Sequence, residues 1–323
     1  MPRSSYFLVS KVGRISASCF DYSPEWIRKS VERSIRRLHP NSPSGNGYID
    51  LLLLHDTEFV DPSEVLTGIK TLRTLRSEGK IKYIGISGYP VSALVSLSAY
   101  ILAETGEPLD AIMSYANFTV QNQLLWTEAV PSLKQQGKVG VVMNASPLGM
   151  GLLRKGGVPV GAMGDWHPAP AGLREKCAQA VEYCEERGER LEAISGRWAG
   201  EKWMKIAGPV VGTRVQFGEV GLGTTGESSR TSNNASAAKE GTMRGITVLG
   251  VSTLEELEDT LALWRSIIRA EEGVQADVVN RDRTEAVVEG LGELFGDWRN
   301  VSWESPEEGW MRVEHDLEKE RDE

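Results

Sequence analysis

The chain has 323 residues, 40% hydrophobic and 25% charged, with 36 basic against 45 acidic side chains and a net charge of -9. This is the composition of a globular protein, long enough for one large α/β barrel or two ordinary domains. The acidic balance disfavours nucleic acid and anionic membranes as partners, and no run approaches the ~18 apolar residues of a membrane span.

In chain order, Tyr6 to Val12 reads as a strand. Ser23-Pro24 then supplies an N-cap and a first-turn proline, and Ile27, Val31, Ile35 and Leu38 mark a helix face. Ile49 to Leu54 is almost wholly apolar, as expected of a parallel strand covered on both sides. Asp61-Pro62-Ser63-Glu64 opens a helix that ends at Gly79, and Ile81 to Ile86 is the next strand. Helix Ser92 to Glu104, strand Leu109 to Met113, helix Gln121 to Gln136 and strand Val139 to Met143 continue the alternation. Two helices follow, Leu173 to Arg187 and Leu191 to Ile206, then strand Ile246 to Gly250 and helix Leu254 to Ile268. Strands alternating with helices imply right-handed crossovers and a parallel sheet, here of six strand-helix units.

Two stretches break the rhythm. Residues 208–245 are rich in Gly, Ser, Thr and Asn without apolar period and read as a flexible insertion. Within them, Gly221-Leu222-Gly223-Thr224-Thr225-Gly226 matches a dinucleotide-binding glycine pattern, but no buried strand precedes it and no patterned helix follows. Residues 305–323 form an acidic tail that reads as a solvated end, and the whole chain is expected to form one domain. Trp298, Trp303 and Trp310 are expected to cover the mouth or side of the fold. Cys19, Cys177 and Cys184 have no metal or redox spacing and read as core thiols, and no metal is expected. Met1 to Tyr6 lacks signal-peptide design, so the expected compartment is the cytoplasm.

In parallel α/β folds, function collects beyond the carboxyl ends of strands. Lys11 ends the first strand, where it is either functional or a lysine snorkelling from an edge. His55 follows four leucines and is either functional or a satisfied core histidine. Later strand ends carry Gly85-Ile86-Ser87-Gly88, Met113-Ser114-Tyr115, Asn144-Ala145-Ser146-Pro147-Leu148-Gly149 and Gly250-Val251-Ser252. Small hydroxyl residues and glycines recur there, which lets a ligand approach the backbone.

These blocks resemble the aldo-keto reductases. Ser10-Lys11-Val12-Gly13, Tyr48 to His55, Gly79 to Gly88, Ser146-Pro147-Leu148-Gly149 and Gly250 to Glu258 stand in that family's order. Asn144 to Leu153, followed by Trp166-His167-Pro168-Ala169-Pro170, is most similar to the branch that oxidises aldoses of the D-arabinose or L-galactose type. The resemblance implies an α/β fold of the (β/α)8 TIM-barrel type, incomplete, with about six of eight units present. It also implies hydride transfer between NAD, or NADP, and a small sugar or aldehyde, with oxidation of the aldose at C1 to the lactone. Lys11 takes the place of the lysine that lowers the pKa of a catalytic tyrosine, and His55 that of the histidine that orients the substrate oxygen. Ser87 and Ser114 would lie by the nicotinamide carboxamide, Ser146, Leu148 and Gly149 along the pyrophosphate, and Ser252 and Glu256 near the adenosine. A carboxylate at Glu256 would repel the 2′-phosphate of NADP, which favours NAD.

The family's aspartate and tyrosine precede the lysine strand, and only ten residues precede Lys11 here. The expectation is therefore either a sugar dehydrogenase whose sequence starts late, with 208–245 as a retained intron, or a non-catalytic relative that binds nucleotide or a partner.

Overall fold

The computed structural model describes residues 3–39, 47–159, 161, 164, 166–206 and 244–316. The predicted insertion lies outside these residues apart from its last two, as does the end of the acidic tail. Six strands, β1 (Val9–Val12), β2 (Ile49–His55), β3 (Ile81–Gly88), β4 (Ala111–Tyr115), β5 (Val141–Ala145) and β6 (Arg244–Val248), form one sheet in sequence order. Every neighbouring pair is parallel. Helices α1 (Pro24–Leu38), α2 (Pro62–Ser77) and α3 (Val91–Thr105) carry the first three crossovers. A π-turn at Leu125–Ala129 and α4 (Val130–Gln135) carry the fourth, and α5 (Ala171–Glu185) with α6 (Leu191–Ile206) the fifth. After β6 come α7 (Leu254–Glu271) and α8 (Gln275–Phe295). This is an incomplete (β/α)8 barrel. No described helix is long and apolar enough to cross a membrane.

The apolar run of β2 follows from its two covered faces. Leu52 and Leu54 join the cluster beneath the helices with Ile84, Ile86, Ile112 and Val142. Leu51 and Leu53 join the inner face with Ala111, Met113, Val141, Met143 and Ala145. All four leucines are at most 1% exposed, and each contributes about 1.5–3 kcal/mol by burial. Register carries the inner set across the sheet. Lys11 stands opposite Leu53, which stands opposite Gly85, and His55 opposite Ser87, which pairs Met113. Lys11 and His55 therefore both rise from the inner face at the carboxyl ends of adjacent strands. Ser23 caps α1 by accepting from the Trp26 N–H at 3.3 Å, with Pro24 in the first turn.

Several element boundaries differ from the sequence expectation. β4 and β5 each lie two residues further on than predicted, because Leu109 and Val139 are buried before the ladder begins. β6 begins two residues earlier than predicted, at Arg244, because the ladder with β5 pairs Val141 with Arg244. The predicted helix from Gln121 is broken. Pro131 has no N–H for the carbonyl four residues back, and the chain takes a π-turn before α4. The 21-residue α8 has weak amphipathic patterning but buries Val287, Leu291 and Phe295.

The described part of the tail is not a solvated end. Trp310 packs edge-on to Phe20 and Phe59, and Arg312 pairs with Glu64 and donates to the Phe20 carbonyl. His315 meets Asp21 at 2.8 Å. These aromatic and basic residues outweigh the acidic ones around them and fasten the segment across the strand ends.

Candidate active site

Lys11 Nζ lies 3.4 Å from His55 Nε2. A lysine ammonium can only donate, so the ring presents its Nε2 lone pair and carries its proton on Nδ1. Burial pushes the His55 pKa down to about 4, with Lys11 and Arg14 adding repulsion and Asp56 opposing. His55 is therefore neutral near neutral pH. Burial also lowers the Lys11 pKa, against the attraction of Asp56. The Tyr22 hydroxyl donates to the His55 carbonyl at 2.7 Å and is thus committed to the backbone. Asp56 Oδ2 lies 3.6 Å from His55 Nε2, where two acceptors make no bond, and forms an ion pair with Arg14.

An aromatic wall stands at the carboxyl ends of β3 and β4. Tyr115 ends β4 on the inner face, its ring 5.6 Å from that of Tyr89. Trp303, just before the tail, stacks on Tyr89 at 4.5 Å, and His167 meets Trp303 edge-on at 5.0 Å. Glu58 ties the wall to the tail. Its Oε1 accepts from the Tyr89 N–H at 2.8 Å and from the Ser305 hydroxyl at 3.2 Å. Burial first, then the neighbouring Asp56 charge, push the Glu58 pKa up to about 7.

A raised acid stabilises the fold in its neutral form. That contribution is full below the ordinary carboxylate range and is lost as pH rises through about 7. Glu58→Gln is neutral throughout, so its thermal midpoint should gain on that of the wild type between about pH 5 and pH 8. Parallel midpoint curves for the two proteins would show that the carboxyl does not titrate there.

The expected cofactor residues fall in four places. Ser87 is fully buried beside His55, and its hydroxyl donates to the Leu54 carbonyl at 3.2 Å. Ser114 is equally buried but belongs to the opposite alternation, in register with Gly88 and Asn144, and it accepts from Asn117 Nδ2 at 3.0 Å. Ser146, Leu148 and Gly149 form one turn beyond β5. Its backbone is left-handed at Ser146 (φ 52°), Gly149 (φ 58°) and Met150 (φ 57°). His167 holds that turn. Its Nε2 donates to the Gly149 carbonyl at 3.1 Å while Nδ1 accepts from the Ala169 N–H. Ser252 and Glu256 lie at the start of α7. Thr253 caps the helix by accepting from the Glu256 N–H at 3.1 Å, and the Glu256 carboxylate reaches back to the Ser252 N–H at 2.6 Å. The carboxylate thus reaches one residue past the N-cap that a capping box would engage, so one Glu256 oxygen already has structural work.

A dinucleotide fits this layout. The left-handed residues of the Ser146–Gly149 turn leave room for a ligand to approach the backbone closely, with the Gly149 N–H itself given to the Ser146 carbonyl at 2.9 Å. Glu255 and Glu256 stand in the first turn of α7. Asp56, Arg14, Glu58 and Tyr115 escaped the sequence reading. The one local signal was the charged residue directly after His55.

The aldo/keto reductase family profile matches residues 1–277. D-arabinose 1-dehydrogenase of Saccharomyces cerevisiae is 41% identical over 212 residues, which are 65% of this chain and 59% of that protein. L-galactose dehydrogenase of Arabidopsis thaliana is 35% identical over 197 residues, 60% of this chain and 56% of that protein. The match thus spans less than two thirds of the length of either relative. The family match runs from β1 into the first turn of α8, over the sheet whose strand ends bring Lys11 to His55, and the chain belongs to the aldo/keto reductase family.

Proposed function

We propose that the chain binds NAD across the carboxyl ends of its strands and oxidises an aldose of the D-arabinose or L-galactose type at C1 to the lactone. The observation that carries this reading is the Lys11 ammonium 3.4 Å from a neutral His55 on the inner face. His55 would orient the C1 hydroxyl and take its proton on the Nε2 lone pair as the hydride leaves C1 for the nicotinamide, and Lys11 would stabilise the negative charge that develops on that oxygen. Bound nicotinamide supplies the hydride acceptor. Ser87 would meet the carboxamide, the Ser146–Gly149 turn the pyrophosphate, and Ser252 with Glu256 the adenosine ribose. Ser114 would reach the carboxamide only by releasing Asn117. The aromatic wall of Tyr115, Tyr89 and Trp303 would exclude water from the reacting carbon.

The test mixes the purified full chain with D-arabinose or L-galactose and either NAD or NADP, following nicotinamide reduction by absorbance. Sugar-dependent reduction with NAD preferred over NADP is the expected result. A second reading, nucleotide binding without turnover, is favoured by one observation. Tyr22, whose hydroxyl bonds the His55 backbone, gives it to the carbonyl rather than to the Lys11–His55 pair. NAD binding by calorimetry with no turnover on either sugar would select that reading.

A further inference from the structure

Asp56 occupies an uncommon place. It follows His55 directly, its backbone is left-handed (φ 58°), and the residue is 1% exposed. An aspartate tolerates this conformation better than a β-branched residue, but it still stores strain. The reversal turns the chain from β2 into the short turn Thr57–Phe59 and directs the carboxylate inward.

A carboxylate so buried needs a cation. Oδ2 pairs with Arg14 Nη1. Arg14 is held in turn, its Nε donating to the Ser16 carbonyl at 3.2 Å and its guanidinium lying over the Phe20 ring. The same Oδ2 is 3.6 Å from His55 Nε2, which accepts from Lys11. Oδ1 is buried with no hydrogen-bond partner among the described residues. The arrangement therefore does not saturate the carboxylate. It places one oxygen between a fixed arginine and the Lys11–His55 pair.

Asp56 attracts Lys11, Arg14 repels it, and His55 is neutral between them. Without Asp56 the lysine would face Arg14 alone. We infer that Asp56 is a positioning residue of this site, anchored by Arg14, which holds the Lys11 cation against His55. The inference rests on reading Lys11 and His55 as the reactive pair.

The test is the rate at which Lys11 is acetylated by acetic anhydride at about pH 8, below the ordinary lysine range. The rate is read by peptide mass spectrometry and normalised to Lys70, an exposed lysine on α2. Only the unprotonated amine reacts. Asp56→Asn removes the attraction and should raise the Lys11 rate several-fold. Arg14→Gln removes the repulsion and should lower it several-fold. Loosening of the structure would raise both rates, so the opposite signs separate electrostatic positioning from damage. An unchanged rate in Asp56→Asn, or a rise in both variants, overturns the inference. Should Asp56→Asn fail to fold, the half-exposed Arg14→Gln decides the matter by the same sign. The probe needs no turnover. An inactive wild type with these rate changes sinks the dehydrogenase reading and leaves the positioning role intact. An active wild type without them does the reverse.

Discussion

Replacing Lys11 with methionine should lower kcat for the proposed sugar-dependent NAD reduction by about 10²- to 10³-fold, the usual loss when one donor to a developing oxyanion is removed. Lys11 keeps solvent access on the inner face although its ammonium is partly desolvated, so its long stem can be replaced by another flexible one without opening a cavity. Stability should change by no more than about 0.5 kcal/mol, as for other substitutions that leave packing intact. The ammonium itself is irreplaceable, because among the described residues it is the donor that meets His55 Nε2. NAD affinity should hold, since the residues assigned to the dinucleotide lie on β3 and beyond β5 and β6, and none bonds Lys11. The substitution also removes one of the charges that depress the His55 pKa, which should move upwards towards the ordinary histidine range. Steady-state kinetics with calorimetric NAD binding checks the split. A variant that loses NAD affinity while keeping kcat would assign Lys11 to the cofactor instead of the reaction.

How far the sequence reaches can be judged at particular residues. The unbroken leucines of β2 announce a strand covered on both faces, and the parallel sheet follows from strands that alternate with capped helices. Lys11 and His55 are visible because a polar residue directly after an apolar strand is costly without a role. The boundaries of β4, β5 and β6 are less legible. Burial at Leu109 and Val139 extends beyond the ladder, and hydropathy cannot separate a buried lead-in from a paired residue. The partners of the site are not local at all. Arg14 and Asp56 are separated by 42 residues, and Ser305 and Glu58 by 247. The tail looked solvated because its acids outnumber its apolar residues, yet Trp303, Trp310 and Arg312 determine where it lies. Charge counts average over a segment, whereas docking depends on a few large contacts.

Gly85→Ala should be the most damaging single methyl addition in the sheet. Gly85 sits in the middle of β3 on the inner face, with Leu53 and Ala111 as register partners on either side. A Cβ there would run into the Ala111 carbonyl oxygen and lie 2.8 Å from Leu53 Cδ2. The carbonyl belongs to the backbone of a neighbouring strand, so relief requires β3 and β4 to part rather than a side chain to rotate. Overpacking of a close-packed interior costs about 1–3 kcal/mol where side chains can give. Here the cost should reach about 3 kcal/mol or more, since the obstructing atom is main chain. The strain would also spread to the site, because Ser87 lies two residues further along the strand beside His55. Gly79→Ala is the control. Gly79 has φ 76° and an added methyl would meet nothing within 4 Å, so its cost is conformational, about 1 kcal/mol. Thermal unfolding followed by circular dichroism should therefore rank the two far apart, with Gly85→Ala also losing NAD affinity. Equal midpoints would mean that β3 and β4 can separate freely, and the inner face could not then be the rigid platform on which Lys11 meets His55.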